Sequence, residues 1–254
     1  MRFLLVNPCI YDFACYDFWL KPLGLLYISA ILKGRGHSAD IVDCMDRHHR
    51  DLSPVSDESY GRGHYINHIV PKPDILKNVR QRYKRYGMSA EVFSAILDKL
   101  EIPDFMLLSS SMTYWYPGVA ETARILKYKF PDVPLVLGGH YVTFCKEHAQ
   151  KNINADYFFK AEELSGFFKM IGEDLPAFES WPAPDYSCYS ELPYVCIRTT
   201  VGCFRNCSFC GIKKISPEFQ KKDTNMIADE LDMFDRKYGV RNIVFYDDSL
   251  LDNE

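Results

Sequence analysis

No stretch of this chain stays apolar for long. The longest such run, residues 23–32, is too short to cross a bilayer and reads as a buried helix. Positive charge is not in excess either. Thirty Lys and Arg stand against 34 Asp and Glu, a net charge of −4, so nothing in the composition draws the chain to nucleic acid or to an anionic membrane. Met1-Arg2-Phe3-Leu4-Leu5-Val6 starts like a secretion signal, but Asn7-Pro8 ends the apolar segment and no small-residue cleavage site follows. A cytoplasmic protein is therefore expected, with its nine cysteines serving metals or cores in preference to disulfides. Histidine is absent after His148 and cysteine after Cys210, which limits the metal sites that the C-terminal part can build. With 47% hydrophobic and 25% charged residues, the remainder has the balance of a globular protein.

Short apolar runs alternate with helical patterns. Residues 3–7 read as a buried strand ending in Asn7-Pro8, residues 22–33 as a packed helix with Pro22 at its start and Gly34 and Gly36 after it, and residues 39–43 as the next strand. This β-α-β unit implies a parallel pair with a right-handed crossover. The pattern resumes with strands at 105–109, 135–137 and 156–159 and helices at 117–130 and 162–171. Five such strands predict an α/β fold over residues 1–174, a doubly wound parallel sheet of flavodoxin- or Rossmann-like order. Its ligand site is expected beyond the carboxyl ends of the strands, near the switch in strand order.

Residues 46–101 interrupt the alternation. Ile75, Leu76, Val79 and Tyr83 recur at helical spacing, with Lys77, Arg80, Arg82, Lys84 and Arg85 around the other faces; this predicts a helix with a solvated basic face, the alternative being a nucleic-acid-binding one. Ser89 is an expected N-cap for a second amphipathic helix running to Leu100. Residues 175–191 carry Pro176, Trp181, Pro182 and Pro184 without a helical period, and read as a semi-rigid linker.

Residues 192–254 open with the strand-like 194–200 and then Gly202-Cys203-Phe204-Arg205-Asn206-Cys207-Ser208-Phe209-Cys210-Gly211. Cys203, Cys207 and Cys210 stand at C-x3-C-x2-C spacing and can converge on one metal centre. A cubane iron–sulfur cluster wants four ligands, so three leave one iron open to an exogenous ligand. A tetrahedral zinc site with Cys188 or Cys196 as fourth ligand is the alternative, and three unrelated core cysteines a further one. A helix at 225–238 capped by Gly239 and a strand at 242–246 follow, with Asp247 and Asp248 at the strand's carboxyl end.

The cysteine motif, Phe209 and the preceding strand resemble the start of a radical S-adenosylmethionine enzyme, whose domain is a partial (β/α) barrel. The resemblance implies a 4Fe-4S cluster on Cys203, Cys207 and Cys210 whose open iron chelates S-adenosylmethionine. An electron from the cluster then cleaves S-adenosylmethionine to a 5′-deoxyadenosyl radical. It further implies that Phe209 packs near the adenine and that Asp247 and Asp248, where the family often has a Gly-Gly-Glu-like segment, meet the amino group or serve only as turn residues. A flavodoxin- or ferredoxin-type reductant and a small-molecule substrate are the partners implied. No residue here is assigned a catalytic role.

Ser109-Ser110-Ser111-Met112-Thr113 and Gly138-Gly139-His140 resemble the cobalamin-binding domain that precedes many such barrels. In that family the hydroxyl residues and the Gly-Gly turn line the slot for the nucleotide tail. The resemblance makes Ser109, Ser110, Ser111, Thr113, Gly138, Gly139 and His140 the cofactor-contacting candidates. It departs from the family where Asp-x-His-x-x-Gly would follow the first strand, because nothing between Asn7 and Lys21 matches. Tyr114, Trp115 and Tyr116 either stack on a planar ligand or fill its place. Methyl transfer to an unreactive carbon is the first reaction implied, and ring or skeleton rearrangement the second. The sequence stops after two strands of such a barrel, so an amino-terminal fragment of a longer enzyme, completed by the rest of the barrel, is expected. The rivals are a non-catalytic iron–sulfur or zinc module and a small-molecule sensor built on the α/β domain.

Overall fold

The computed structural model describes residues 1–250. Its first part runs β1 (Arg2–Asn7), β2 (Ile10–Asp12), β3 (Tyr16–Asp17), α1 (Leu23–Gly34) and β4 (Ser38–Asp43). Next come β5 (Gly63–His64), β6 (Asn67–Ile69), β7 (Lys84–Tyr86) and α2 (Ala90–Leu97), which starts at Ser89, whose side chain accepts from Val92 N. The alternation then continues through β8 (Phe105–Leu108), α3 (Tyr116–Lys129), β9 (Leu135–Leu137), α4 (His140–Asn152), β10 (Tyr157–Phe158) and α5 (Leu164–Met170). The final part is β11 (Val195–Ile197), β12 (Thr200–Val201), α6 (Ile212–Ile215), β13 (Gln220–Lys221), α7 (Thr224–Tyr238) and β14 (Ile243–Phe245).

The central sheet has the order β10-β9-β8-β1-β4, parallel throughout. Counted along the chain and read from β4, that is 2-1-3-4-5, with the switch in order between β1 and β8. Alternate residues of each strand point to opposite faces. Leu4 and Val6 join α2, α3 and α4 in one apolar layer, and Phe3 and Leu5 join α1 and α5 in the other. Both faces are covered, which accounts for the unbroken apolar runs of the strands.

α1 is apolar on nearly all sides because it has two neighbours. One side packs on the sheet through Leu25, Ile31 and Leu32, while Leu23, Leu26 and Tyr27 meet β11, Tyr186, Tyr194 and Phe234. β11 pairs in parallel with β14, the two being joined through a hairpin and α7. Val195 N and Ile197 O bond on the β14 side, to Asn242 O and Tyr246 N. The opposite edge of β11 is closed by tyrosines. Tyr186 Oη accepts from Cys196 N at 2.6 Å and donates to Cys196 O at 2.7 Å, while Tyr27 Oη accepts from Arg198 N at 3.1 Å. A strand edge that would otherwise carry unpaired amides is thereby satisfied by side chains. Among the described residues this second unit has two parallel strands and one crossover helix; a barrel is not formed.

One expectation is corrected. The basic segment near residue 80 is not a helix: residues 74–76 make a single 3-10 turn, and Lys84–Tyr86 is a strand paired with both β2 and β6. Pairing on both edges and burial of Tyr83, Arg85 and Tyr86 outweigh the local helical spacing. The segment 175–191, read as a semi-rigid linker, is anchored along its length. Phe178, Tyr186 and Tyr189 are buried, and Asp185 ties it to α1 by accepting from Ser29 Oγ at 2.6 Å and Lys33 Nζ at 2.7 Å.

Candidate functional site

A cavity of about 650 Å³ opens at the carboxyl ends of β1, β8 and β9, at the switch in strand order. That volume suits a drug-sized ligand. Ser109, Ser110, Ser111, Gly138, Gly139 and His140 all line it, whereas Thr113 lies in the adjoining turn and does not. Trp115 forms part of the wall and donates from Nε1 to Asp12 Oδ2 at 2.7 Å. Tyr114 points to solvent and Tyr116 stacks edge-on against His148, so neither ring fills the space.

Much of the expected floor is already bonded within the chain. Ser109 Oγ donates to Asn7 Oδ1 at 3.0 Å, and Ser110 Oγ to Gly138 O at 2.5 Å. Gly139 has φ +100, and a Cβ there would fall 2.1 Å from Ser110 O, so this glycine is required by the fold. Gly138 is different: a Cβ would meet only Phe159 O at 3.6 Å, an ordinary contact. Gly24 in the first turn of α1 also lines the cavity, and nothing lies within 4 Å of where its Cβ would be. Two bare backbone positions therefore face a cavity with no steric demand of the chain upon them.

The roof comes from the second unit through Arg198, Val201, the segment 215–218, Gln220 and Tyr246. β12 and β13 pair antiparallel and form the neck of the cysteine loop. A Cβ on Gly202 would fall 2.2 Å from Glu218 O, so the two sides of the neck approach as closely as backbone allows. Asp247 fastens the root of the loop. Its Oδ1 accepts from Thr199 N at 2.8 Å, Thr199 Oγ1 at 3.0 Å, Thr200 Oγ1 at 2.8 Å and also Thr200 N. Its Oδ2 is buried and has no partner. Asp248 Oδ2 accepts from Gly202 N at 3.0 Å.

Cys203 is half-buried, Cys207 and Cys210 are exposed, and Phe209 is 91% exposed, resting on no pocket wall. The thiols share one loop, but among the described residues no group of three or more His, Cys, Asp or Glu is gathered as a metal cage. The two possible fourth cysteines lie apart from the loop. Cys196 is buried in β11 with Sγ on Trp19 O at 3.3 Å, and burial first of all pushes its thiol up to about 12. Burial likewise raises Cys188. Cys9, on the cavity floor, is also pushed up to about 12 by burial, with Arg85 opposing and Glu121 adding; a thiol held in this state is no nucleophile.

His140 stands at the first position of α4 and titrates below its ordinary value. Desolvation against the wall is the larger cause and the charge of Arg198 the next, with Asp248 opposing them. Sequence reasoning missed Arg198, Lys21, Gly24 and Tyr246 as cavity residues. Gly24 alone left a signal, as a glycine inside a predicted helix. No helix among the described residues is long and apolar enough to cross a membrane. No protein-family model matches this chain, and no curated protein matches it.

Proposed function

We propose that this chain belongs to a radical S-adenosylmethionine enzyme, with Cys203, Cys207 and Cys210 holding a 4Fe-4S cluster beside the cavity. One observation carries the reading. Val201 immediately before the cysteine loop and residues 215–218 after it both line the cavity, so the root of the loop borders the cavity. In favour stand three thiols with limited or no burial on one loop held by a hairpin neck, which the cluster would have to gather, since among the described residues they form no cage without it. The orphaned Oδ2 of Asp247 fits an amino-group donor at the root of the same loop. When bound there, the cluster supplies the electron that cleaves S-adenosylmethionine.

The chain's own part is to position and to exclude water. Asp247 and Asp248 hold the loop root, and Tyr27, Phe178 and Trp181 give the cavity an apolar wall. A corrinoid fits in part. Gly138 and Gly24 leave room for a close ligand, but the hydroxyls of Ser109 and Ser110 already donate within the chain, and no step is assigned to it. A flavodoxin- or ferredoxin-type reductant and a small-molecule substrate complete the proposal.

The test is anaerobic reconstitution of the full chain with iron and sulfide, followed by dithionite and S-adenosylmethionine. Release of 5′-deoxyadenosine is expected, together with its loss in Cys207→Ala. Equal release from that variant removes the cluster assignment, and one zinc without sulfide on metal analysis assigns a structural module instead.

A further inference from the structure

The charged groups lining the cavity are Lys21, Lys160 and Arg198 on one side of the balance and Glu162 and Glu218 on the other. Lys160 Nζ lies 3.6 Å from Glu162 Oε1, so that pair is internal. Arg198 Nε donates to Tyr246 O at 3.1 Å, and no carboxylate stands at ion-pair distance from its guanidinium among the described residues. Lys21 is only 8% exposed, and its ammonium sits 3.9 Å from the ring centre of Tyr189, again with no carboxylate at ion-pair distance among the described residues. A buried or half-buried cation without an anion is costly, and a bound anion removes the cost.

Arg198 reaches the cavity from β11, and His140 reaches it from the start of α4. The first turn of α4 has no capping side chain. His140 N donates to Ser110 O at 2.9 Å, so the imidazole is what His140 offers the cavity. A guanidinium with free N–H donors and an imidazole thus border one cavity.

We propose that the cavity takes a ligand bearing a carboxylate or phosphate, and that Arg198 and His140 hold that group. The fork of Arg198 matches two oxygens of either group. Val201 and residues 215–218 line the same cavity as the seat. The inference rests on the cavity as a ligand site and not on the cluster, so it stands or falls separately from cleavage of S-adenosylmethionine.

The groups facing His140 are Arg198 from β11, whose charge lowers its titration, and Asp248 after β14, which raises it. An anion on Arg198 offsets the lowering. The experiment is an NMR titration of the histidine rings in the cluster-free full chain, with His140→Gln for assignment, in plain buffer, inorganic phosphate and acetate. Phosphate or acetate is expected to raise the His140 midpoint by about half a pH unit. Arg198→Gln is expected to start from a raised midpoint and to respond to neither anion. A response to phosphate alone assigns a phosphate-bearing ligand, and a response to acetate a carboxylate. No response to either, or an undiminished response in Arg198→Gln, overturns the proposal. If that variant does not fold, Arg198→Lys keeps the charge and loses the fork. Phosphate affinity weakened by about tenfold then supports the seat, and unchanged affinity overturns it.

Discussion

The two ends of the cavity treat their polar groups in opposite ways. On the sheet side, the residues with the look of a ligand cradle are largely used by the fold: Ser109 on Asn7, Ser110 on Gly138 O, and Gly139 against Ser110. On the side of the cysteine loop, groups of equal chemical value are left over. Cys207 and Cys210 are exposed, Asp247 Oδ2 has no partner, and Arg198 faces the cavity without a carboxylate. A polar group that is already satisfied inside the chain contributes to stability, whereas one left open is available to a ligand. Residue type alone does not separate the two; hydrogen-bond partners do.

Gly139→Ala tests this division most severely. The new Cβ would overlap Ser110 O, and the backbone at φ 100 and ψ −171 lies in a region open essentially to glycine alone. A loss of roughly 3–5 kcal/mol, or failure to yield folded protein, is expected from chemical denaturation. The same measurement on Cys207→Ala should move by less than about 0.5 kcal/mol, because its side chain is exposed. Comparable losses in the two variants would erase the distinction.

Tyr186→Phe comes next and concerns the seam between the two units. It leaves Cys196 N and Cys196 O buried at the edge of β11 without partners, at a cost of about 2–3 kcal/mol. A change under about 0.5 kcal/mol would mean that water or a shifted strand replaces the hydroxyl.

The parts legible in the sequence are those where local pattern and tertiary setting agree. Apolar runs at residues 3–7 and 135–137 became central strands, and Ser89, Pro117 and Gly239 mark helix ends where such residues belong. The pattern failed where pairing partners come from far along the chain. β7 forms because β2 lies beside it, some seventy residues away, and no local window contains that fact. The proline spacing of 175–191 reads as a semi-rigid linker but does not reveal its anchors, Tyr186 and Tyr189, whose burial depends on α1 and β11. At the site, the cysteine spacing identified the loop, but neither the neck at Gly202 nor the free cation of Arg198 follows from spacing.

Acid provides a gentler probe of the same seam. Burial pushes the Asp185 carboxyl up, but hydrogen bonds from Lys33, Ser187 and Ser29 outweigh it and hold the group at about 2, below the ordinary 3.8. A depressed carboxylate stabilises the fold above its unfolded pKa, and that contribution is lost as pH falls through the folded one. Stability should therefore decline between about pH 4 and pH 2 by at most about 2 kcal/mol from this group. Asp185→Asn should show a shallower decline over that window, read from urea midpoints across pH. An identical pH profile would show that the contact between α1 and the segment 175–191 does not depend on charge.

Gly24→Ala has the smallest expected effect and separates the two uses of glycine most cleanly. Unlike Gly139, it occupies an ordinary helical position, and a Cβ would meet nothing within 4 Å. Alanine there should raise stability by about 0.5 kcal/mol, because the unfolded chain loses freedom and the helix gains a better former. If the bare backbone is kept for a ligand, the same methyl occupies space in the cavity and weakens binding. Hydroxocobalamin titrated into the full chain, followed by its visible spectrum, provides the readout, with weaker binding by the more stable variant as the expected result. A variant that is both more stable and equally able to bind would mean that the missing side chain serves neither the fold nor the occupant, and the open side of the comparison would then rest on Arg198, Asp247 and the thiols alone.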